Sequence, residues 1–417
     1  MKNTNNLFKK VILLLVVIII PVSLCAFDFG LVANVYTAYG DMGAVEGETD
    51  DSNSINTFEF KADILPRFSF LIGDTAELFI SAGLSLGIDE EFYFVPELLR
   101  TEFNMRFGDA GIKVGRMHYS DPLSFITTGL FDGFQFNLNS DMGKFSLGAW
   151  YTGLLYKKNA DITITDNDKK YYYESLDYSD FANTYFAPKR MIAALEWDHP
   201  SLAEILRLNF AAIAQIDLAD SDQYHNQYLI FKAGVPVKSF LIELGGGIEF
   251  SQSNDKDIQS GIAFAGDFGI SWMLPVDFTS RLSLTCKIAG GKTDSFEAFT
   301  PITTRYFGNI IKQKVTGLSL LGLDYSARLG ETVGLNLSGI YFVRNDLGTF
   351  RGYPLNAESE SDGYFLGPEV FARVVWSPLS DLQFNLGAGA FLPFLGDVGP
   401  EEKPQWRVEL TAILALY

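Results

Sequence analysis

The stretch Arg207-Leu208-Asn209-Phe210-Ala211-Ala212-Ile213-Ala214-Gln215-Ile216-Asp217-Leu218 decides the fold class of this 417-residue chain. The face that begins at Leu208 is wholly apolar, whereas the face that begins at Arg207 also carries Asn209, Gln215 and Asp217. Strict alternation over such a length predicts a β-strand whose two faces meet different surroundings.

The same period of two continues through the chain, for example over 281–288 and 381–386. A bacterial single-chain transmembrane barrel has an even number of strands, apolar towards lipid and polar towards the lumen. We therefore predict an all-β fold, an antiparallel up-and-down transmembrane barrel of eighteen strands, to within two. The predicted strands are 28–40, 57–73, 75–88, 91–108, 110–118, 130–139, 143–158, 186–198, 203–218, 226–236, 238–251, 260–274, 278–290, 314–329, 331–344, 364–377, 381–391 and 404–417.

The connections between these strands alternate in character. Every second one is a tight turn rich in Gly, Pro, Asp and Ser, whereas most of the others are longer and polar. Short turns on one side and long loops on the other are typical of outer-membrane barrels. This layout predicts external long loops and puts both termini in the periplasm. The predicted turns are 73–74, 108–111, 140–143, 198–201, 236–238, 274–277, 330–331 and 377–380; the predicted long loops are 41–56, 159–185, 219–225, 252–259, 291–313, 345–363 and 392–403.

Composition narrows the alternatives. Apolar residues are 47% of the chain and charged residues 20%, which excludes a disordered protein. After the N-terminus no apolar block reaches the length of a spanning helix, which excludes a multi-span helical protein. A net charge of −19 argues against a nucleic-acid partner, and two cysteines cannot build a disulfide framework. The rival fold is a soluble multi-sheet β protein, which would need a second sheet to cover each apolar face.

The N-terminus has the layout of a secretory signal peptide. Three lysines precede an apolar run over 11–20, and small residues around Ala26 offer a cleavage site. We predict a signal peptide over 1–26 and a single barrel domain over 27–417, with no N-terminal plug. An N-terminal anchor helix and a lipoprotein lipidated at Cys25 are the alternatives.

The predicted lumen faces carry charges of both signs. An eighteen-strand barrel is wide enough for an aqueous channel, and fixed charges at a constriction select permeating ions. The alternative is that these charges pair across neighbouring strands. A further set of acidic residues in 41–56 and 159–185 is expected to form a solvated surface, and bridging by divalent cations to lipid headgroups or to each other is the alternative. The candidate pore-lining residues are Arg67, Arg100, Arg106, Lys113, Arg207, Arg281, Lys287 and Arg373.

The connection 119–129 differs from the other external loops because it is apolar. An apolar loop is unfavourable in water, since burying apolar surface is what stabilises it. We expect this connection to fold into the barrel mouth and narrow it, with capping of a neighbouring loop as the alternative.

Two segments resemble known porins. Gly115-Arg116-Met117 ends one predicted strand, and Leu130-Phe131-Asp132-Gly133-Phe134 opens the next. Both are similar to a pattern in large eighteen-strand porins of the alginate-export and carbohydrate-selective kind, which implies diffusion of anionic or sugar-like solutes. The Phe- and Tyr-rich composition with acidic loops is similar to that of spirochaete surface barrels. The C-terminus departs from the usual final Phe: the chain ends in Tyr417, which predicts either a bulge in the last strand or a different assembly signal.

The sequence therefore predicts an outer-membrane porin for passive diffusion of small hydrophilic solutes, anionic or sugar-like ones included. Its expected partners are outer-membrane lipids, the solutes themselves and the barrel-assembly machinery, reached through the C-terminal strand. A surface adhesin or antigen is the alternative function. An outer-membrane lipase or protease is disfavoured, because His118 with Ser120 and Asp121 is the one suggestive cluster. No cofactor is expected, and no metal site, because Cys and His are few and scattered.

Overall fold

The computed structural model describes residues 26–41, 56–88, 92–254, 260–276, 278–303, 305–311, 314–347, 362–399 and 403–416. Residues 1–25 lie outside these ranges, so the signal peptide stays a prediction.

Eighteen antiparallel strands form one closed sheet, as the alternation predicts. Each strand pairs with the next along the chain, and β1 pairs with both β2 and β18, which closes the barrel. The strands are β1 (Ala26–Asp41), β2 (Asn56–Ile72), β3 (Ala76–Ile88), β4 (Phe92–Phe107), β5 (Ala110–Ser120), β6 (Thr128–Ser140), β7 (Gly143–Tyr151), β8 (Arg190–Leu202), β9 (Leu206–Asp217), β10 (Tyr224–Val237), β11 (Phe240–Ser253), β12 (Gly261–Met273), β13 (Ser280–Ala289), β14 (Leu318–Arg328), β15 (Val333–Arg344), β16 (Phe365–Leu379), β17 (Leu382–Phe391) and β18 (Gln405–Leu416).

The outer face of the barrel is an apolar surface. Leu229 and Leu244 are each more than half exposed there. Aromatic rings stack between neighbouring strands on this face, with ring centroids 5.5 Å apart for Phe240 and Trp272 and again for Trp376 and Phe384. Because exposed apolar side chains on this scale are unfavourable in water, the surface suits a hydrocarbon environment.

The last strand contains no bulge among its described residues. Its pairing with β1 runs without a shift from Leu31↔Leu416 to Asp41↔Trp406, and its pairing with β17 is equally regular. Leu410, Leu414 and Leu416 therefore stay on the outer face. A bulge does not explain the unusual C-terminus, and Tyr417 lies outside the described residues.

Many strand boundaries differ from the sequence prediction by a few residues, and the largest difference is at β7. The strand predicted to reach residue 158 ends at Tyr151, because the chain then enters the short helix α1 (Lys157–Ala160). The predicted turn 198–201 lies within β8, and the turn itself falls at Ala203 and Glu204, whose φ angles are 50° and 70°. Two such left-handed residues form the tight hairpin turn that suits strand twist.

Further short helices lie in the connection between β7 and β8. They are α2 (Asp166–Tyr173) and α3 (Phe181–Tyr185), preceded by a 3₁₀ turn at Tyr178–Asp180. No helix in the described part of the chain has the length and apolar character to cross a membrane.

Candidate functional site: the barrel interior

A β-hairpin leaves the barrel wall and enters the lumen. The pairing of β4 with β5 ends at Thr101↔Arg116, and the pairing of β6 with β7 ends at Asp132↔Tyr151. Beyond these points β5 and β6 remain paired only to each other. Residues 117–131, called the inward hairpin below, include the apolar connection 119–129. The expectation that this connection folds into the barrel is confirmed.

The tip of the inward hairpin packs on β11 across the lumen. The side chains of Leu123 and Ile126 lie over Gly245 and Gly247, and both are almost fully buried. Asp121 fixes the shape of the tip, because its carboxylate accepts hydrogen bonds from four backbone amides within 2.8–2.9 Å. Asp121 is only 2% exposed. Buried carboxylates need such donors, since an unpaired buried charge is strongly unfavourable.

The connection between β13 and β14 also folds inward and joins the hairpin. The amide of Ile302 donates to the carbonyl of Ile126 at 2.8 Å. Two buried carboxylates on the wall hold this connection by its backbone. Glu249 accepts from the Thr300 amide at 2.7 Å, and Glu369 accepts from three successive amides at 309–311.

The connection between β7 and β8 is packed in part and exposed in part. Arg190 is fully buried and pairs with Asp168 of α2 at 2.5 Å and with Asp217 of β9 at 2.9 Å. The expectation that the acidic residues of 159–185 form a solvated surface is wrong for Asp168, which also caps α2 through Thr165, and for Asp161, which is largely buried. Apolar side chains from this connection join those of the inward hairpin in one cluster beside β5 to β13.

The polar part of the lumen wall lies on β16 to β18 and β1 to β5. Arg373 contacts Glu409 at 2.7 Å, Arg407 contacts Glu409 at 3.5 Å, and Arg407 contacts Glu59 at 3.1 Å. These four side chains form a continuous chain of alternating charge. Further along the same wall, Glu102 contacts both Arg100 at 2.8 Å and Lys113 at 3.6 Å.

A second charged group stands on the opposite wall. Lys287 contacts Asp267 at 3.3 Å, and its ammonium lies 4.9 Å from the ring centre of Phe125 in the inward hairpin. Lys232 contacts Glu243 at 3.4 Å nearby. The charged wall and the hairpin tip therefore meet at Lys287.

All eight predicted pore-lining residues lie on the lumen phase of their strands. Arg100, Lys113, Lys287 and Arg373 have carboxylate partners, as the pairing alternative expects. Arg67 lies on the same wall. Three others are exposed at the end of the barrel with short turns: Arg106, Arg207 and Arg281.

Sequence reasoning missed Arg407, which is the centre of the charged chain and only 4% exposed. It shares the phase of Glu409, so the alternation alone could have identified it. It also missed Arg116 as a charged contact, although the residue stands in one of the segments that carry the porin resemblance.

The cluster around His118 does not form a catalytic arrangement. The carboxylate of Asp121 is occupied by backbone amides, and the Ser120 hydroxyl lies 3.1 Å from that of Thr128. In the described ranges, no group of three His, Cys, Asp or Glu side chains is arranged to hold a metal ion.

Comparisons with known proteins show a shared fold. No family model matches the chain, and no curated protein matches it by sequence. Solved structures do match: OpdK from Pseudomonas aeruginosa, with 12% identity, a TM-score of 0.59 and coverage of 94% of this chain and 98% of that one. OccK2 (OpdF) in complex with glucuronate has 12% identity, a TM-score of 0.60 and coverage of 94% and 96%. OpdK with vanillate has 12% identity, a TM-score of 0.60 and coverage of 94% and 98%. The resemblance to alginate-export and spirochaete barrels is not confirmed; what these matches show is the fold, a closed eighteen-strand barrel.

Proposed function

We propose that this chain is an outer-membrane channel for passive diffusion of small hydrophilic solutes, anionic or sugar-like ones included. The observation that carries the proposal is a charged lumen wall inside an apolar barrel, narrowed by an inward hairpin. Arg373 and Glu59 are the more exposed members of the wall chain Arg373–Glu409–Arg407–Glu59, and they offer a hydrogen-bond donor and an acceptor to a solute. Similar porins bound to glucuronate and vanillate support solutes of that kind.

The packing of the loops favours a channel over an adhesin. An adhesin presents its loops to a partner, whereas two long connections of this barrel are fixed inside it by Glu249, Glu369 and Arg190. Such contacts shape a passage. Outer-membrane lipids against the apolar belt, and the assembly machinery at β18, complete the proposed set of partners.

Conductance in planar bilayers tests the channel. Purified, folded protein should produce discrete openings in salt solution, and a reversal potential under a salt gradient should report its selectivity. We propose a mild preference for anions, because Arg106, Arg207 and Arg281 add exposed positive charge at the end of the barrel with short turns, whereas Arg100, Lys113, Lys287 and Arg373 contact carboxylates. Protein that inserts but never conducts would overturn the function, whereas a cation-selective channel would overturn only the preference.

Orientation is tested by cysteine labelling on intact cells. We propose that the termini lie in the periplasm, so Ser179→Cys in the β7–β8 connection should react with an impermeant maleimide and Ser201→Cys near the β8–β9 turn should not. Both residues are exposed, and both variants are made with Cys286→Ser. The reverse labelling pattern would invert the topology.

A further inference from the structure

Arg116 and Asp132 form a bidentate salt bridge at the base of the inward hairpin. The Arg116 Nε lies 2.9 Å from Oδ1 of Asp132, and its Nη2 lies 2.7 Å from Oδ2. The two residues face each other across the β5–β6 pair. They are also the last residues at which β5 and β6 pair with their outer neighbours, β4 and β7. The salt bridge therefore marks the point where the hairpin leaves the wall.

The same guanidinium ties the hairpin to both sides of the gap that it leaves. Arg116 Nη1 donates to the carbonyl of Leu98 on β4, and Nη2 donates to the carbonyl of Leu154, in the connection that follows β7, at 2.8 Å. A planar guanidinium with five donors can serve three acceptors in fixed directions, which an ammonium cannot. Arg116 thus joins four segments of chain.

The location of this ion pair is unusual. By alternation, Arg116 and Asp132 stand on the phase of Val114 and Phe134, which face outward, yet Arg116 is only 7% exposed. A charged residue on the lipid face of a barrel is destabilising. Hydrogen bonds to the carbonyls of Leu98 and Leu154 bury Arg116 and remove this penalty. These bonds form only while the hairpin keeps its present direction.

A pair of glycines permits the bend but does not set its direction. Gly115 and Gly133 face each other one step below the salt bridge, and a β-carbon on either would collide with backbone of the adjacent strand. The φ angle of Gly115 is +115°, which favours glycine. Glycine allows many backbone directions, so another contact has to select one of them.

We propose that Arg116 is the positioning residue of the constriction: with Asp132, Leu98 and Leu154 it fixes the direction in which the inward hairpin crosses the lumen. This inference rests on the proposed channel function. The cross-section left for solutes then depends on a contact that no solute touches.

The test compares single-channel records of Arg116→Ala with those of Arg328→Ala, which removes an exposed guanidinium that donates to the carbonyls of Gly330 and Glu331 at the β14–β15 turn. Arg116→Ala should replace one conductance level by a broad spread with a mean raised about twofold. Arg328→Ala should keep a single level. Arg116→Lys, which keeps the charge but loses the fork, should resemble the Ala variant.

A disulfide separates hairpin position from general loss of stability. With Cys286→Ser, the pair Leu123→Cys and Gly245→Cys links the hairpin tip to β11. Oxidation should restore a single level to the Arg116→Ala channel, and reduction should abolish the restoration. Asp132→Asn keeps the side-chain shape and should give a smaller spread of conductance levels than Arg116→Ala. It replaces Arg116→Ala in the test if that variant does not fold.

The outcomes are distinct. A wild-type protein that does not conduct overturns the channel itself. A conducting wild type with unchanged records for Arg116→Ala overturns the positioning role. Failure of both Arg116→Ala and Asp132→Asn to fold assigns the pair to the wall rather than to the constriction, and also overturns it.

Discussion

Leu123 occupies the space that a β-carbon on Gly245 would need. Its Cδ2 lies 2.5 Å from that position, although the two residues belong to the hairpin tip and to the opposite wall. Glycine at 245 is therefore a packing requirement of the inward hairpin. The glycine run Gly245-Gly246-Gly247 makes β11 a flat seat for the tip.

Gly245→Val should push the hairpin tip away from β11. The added side chain competes with Leu123 for the same volume, and overpacking of this kind destabilises by about 1–3 kcal/mol. We expect a changed single-channel conductance in a barrel that still folds. The control is Gly246→Val on the outer face, where the nearest atom to a β-carbon is 3.6 Å away. Equal conductance of the two variants would contradict the packing of the hairpin tip on Gly245.

Glu409→Gln should shift selectivity towards anions. The carboxylate balances Arg373 at 2.7 Å and Arg407 at 3.5 Å, so its removal leaves both guanidinium groups with less compensating charge. Arg373→Gln should shift selectivity in the opposite direction. Reversal potentials under a salt gradient measure both shifts, which we expect to change the permeability ratio about twofold. Shifts of the same sign would show that these charges do not face the passage.

The packing of the β7–β8 connection should loosen as the pH rises through about 7. Burial raises the pKa of Asp161 to about 7 from an ordinary value of 3.8, against the opposing effect of Lys314 and Lys158. The folded connection binds a proton more readily than the unfolded chain, so its stabilisation is full below pH 3.8 and is lost as pH rises through 7.

Hydrogen exchange over 152–189 measures this loosening. The control is Asp161→Asn, which cannot titrate and tolerates the φ of 50° at this position. The ratio of wild-type to variant exchange rates should be near one below pH 3.8, rise as the pH approaches about 7 and stay constant above that value. A ratio that is independent of pH would remove Asp161 as the cause.

Cys286 should resist a membrane-impermeant maleimide in the reconstituted protein. It pairs with Phe268 on one side and Leu321 on the other, all on the outer, apolar face. Unfolding in denaturant should make it reactive. Thr285→Cys, made with Cys286→Ser, places a thiol one residue away on the lumen face and should react without unfolding. Rapid native labelling of Cys286 would reverse the faces of β13.

The strands could be predicted because alternation is a local property. The even-numbered residues from Leu208 to Leu218 lie on the outer face and are all apolar, because every second side chain of a strand shares one environment. Their number followed from the turns that separate them. The error at Tyr151 arose where apolar residues continue beyond the strand and pack inside the lumen instead.

The inward packing could be predicted only in part. The apolar character of 119–129 indicated burial, but its seat on β11 depends on glycines more than a hundred residues away. The amides that Glu249 and Glu369 bind leave no pattern in the sequence, because any residue except proline supplies an amide. For the same reason Asp168 could not be distinguished from the exposed acids around it.

The pairing of Leu31 with Leu416 means that the barrel closes only when its last strand is added. These partners stand near the two ends of the chain, so the edge of β1 has no strand of its own to meet until almost every other residue has been placed. An uncovered strand edge invites pairing with other chains. That edge of the nascent sheet therefore stays open until β18 is added, and loss of β18 would leave a sheet with two permanent edges and no closed pore.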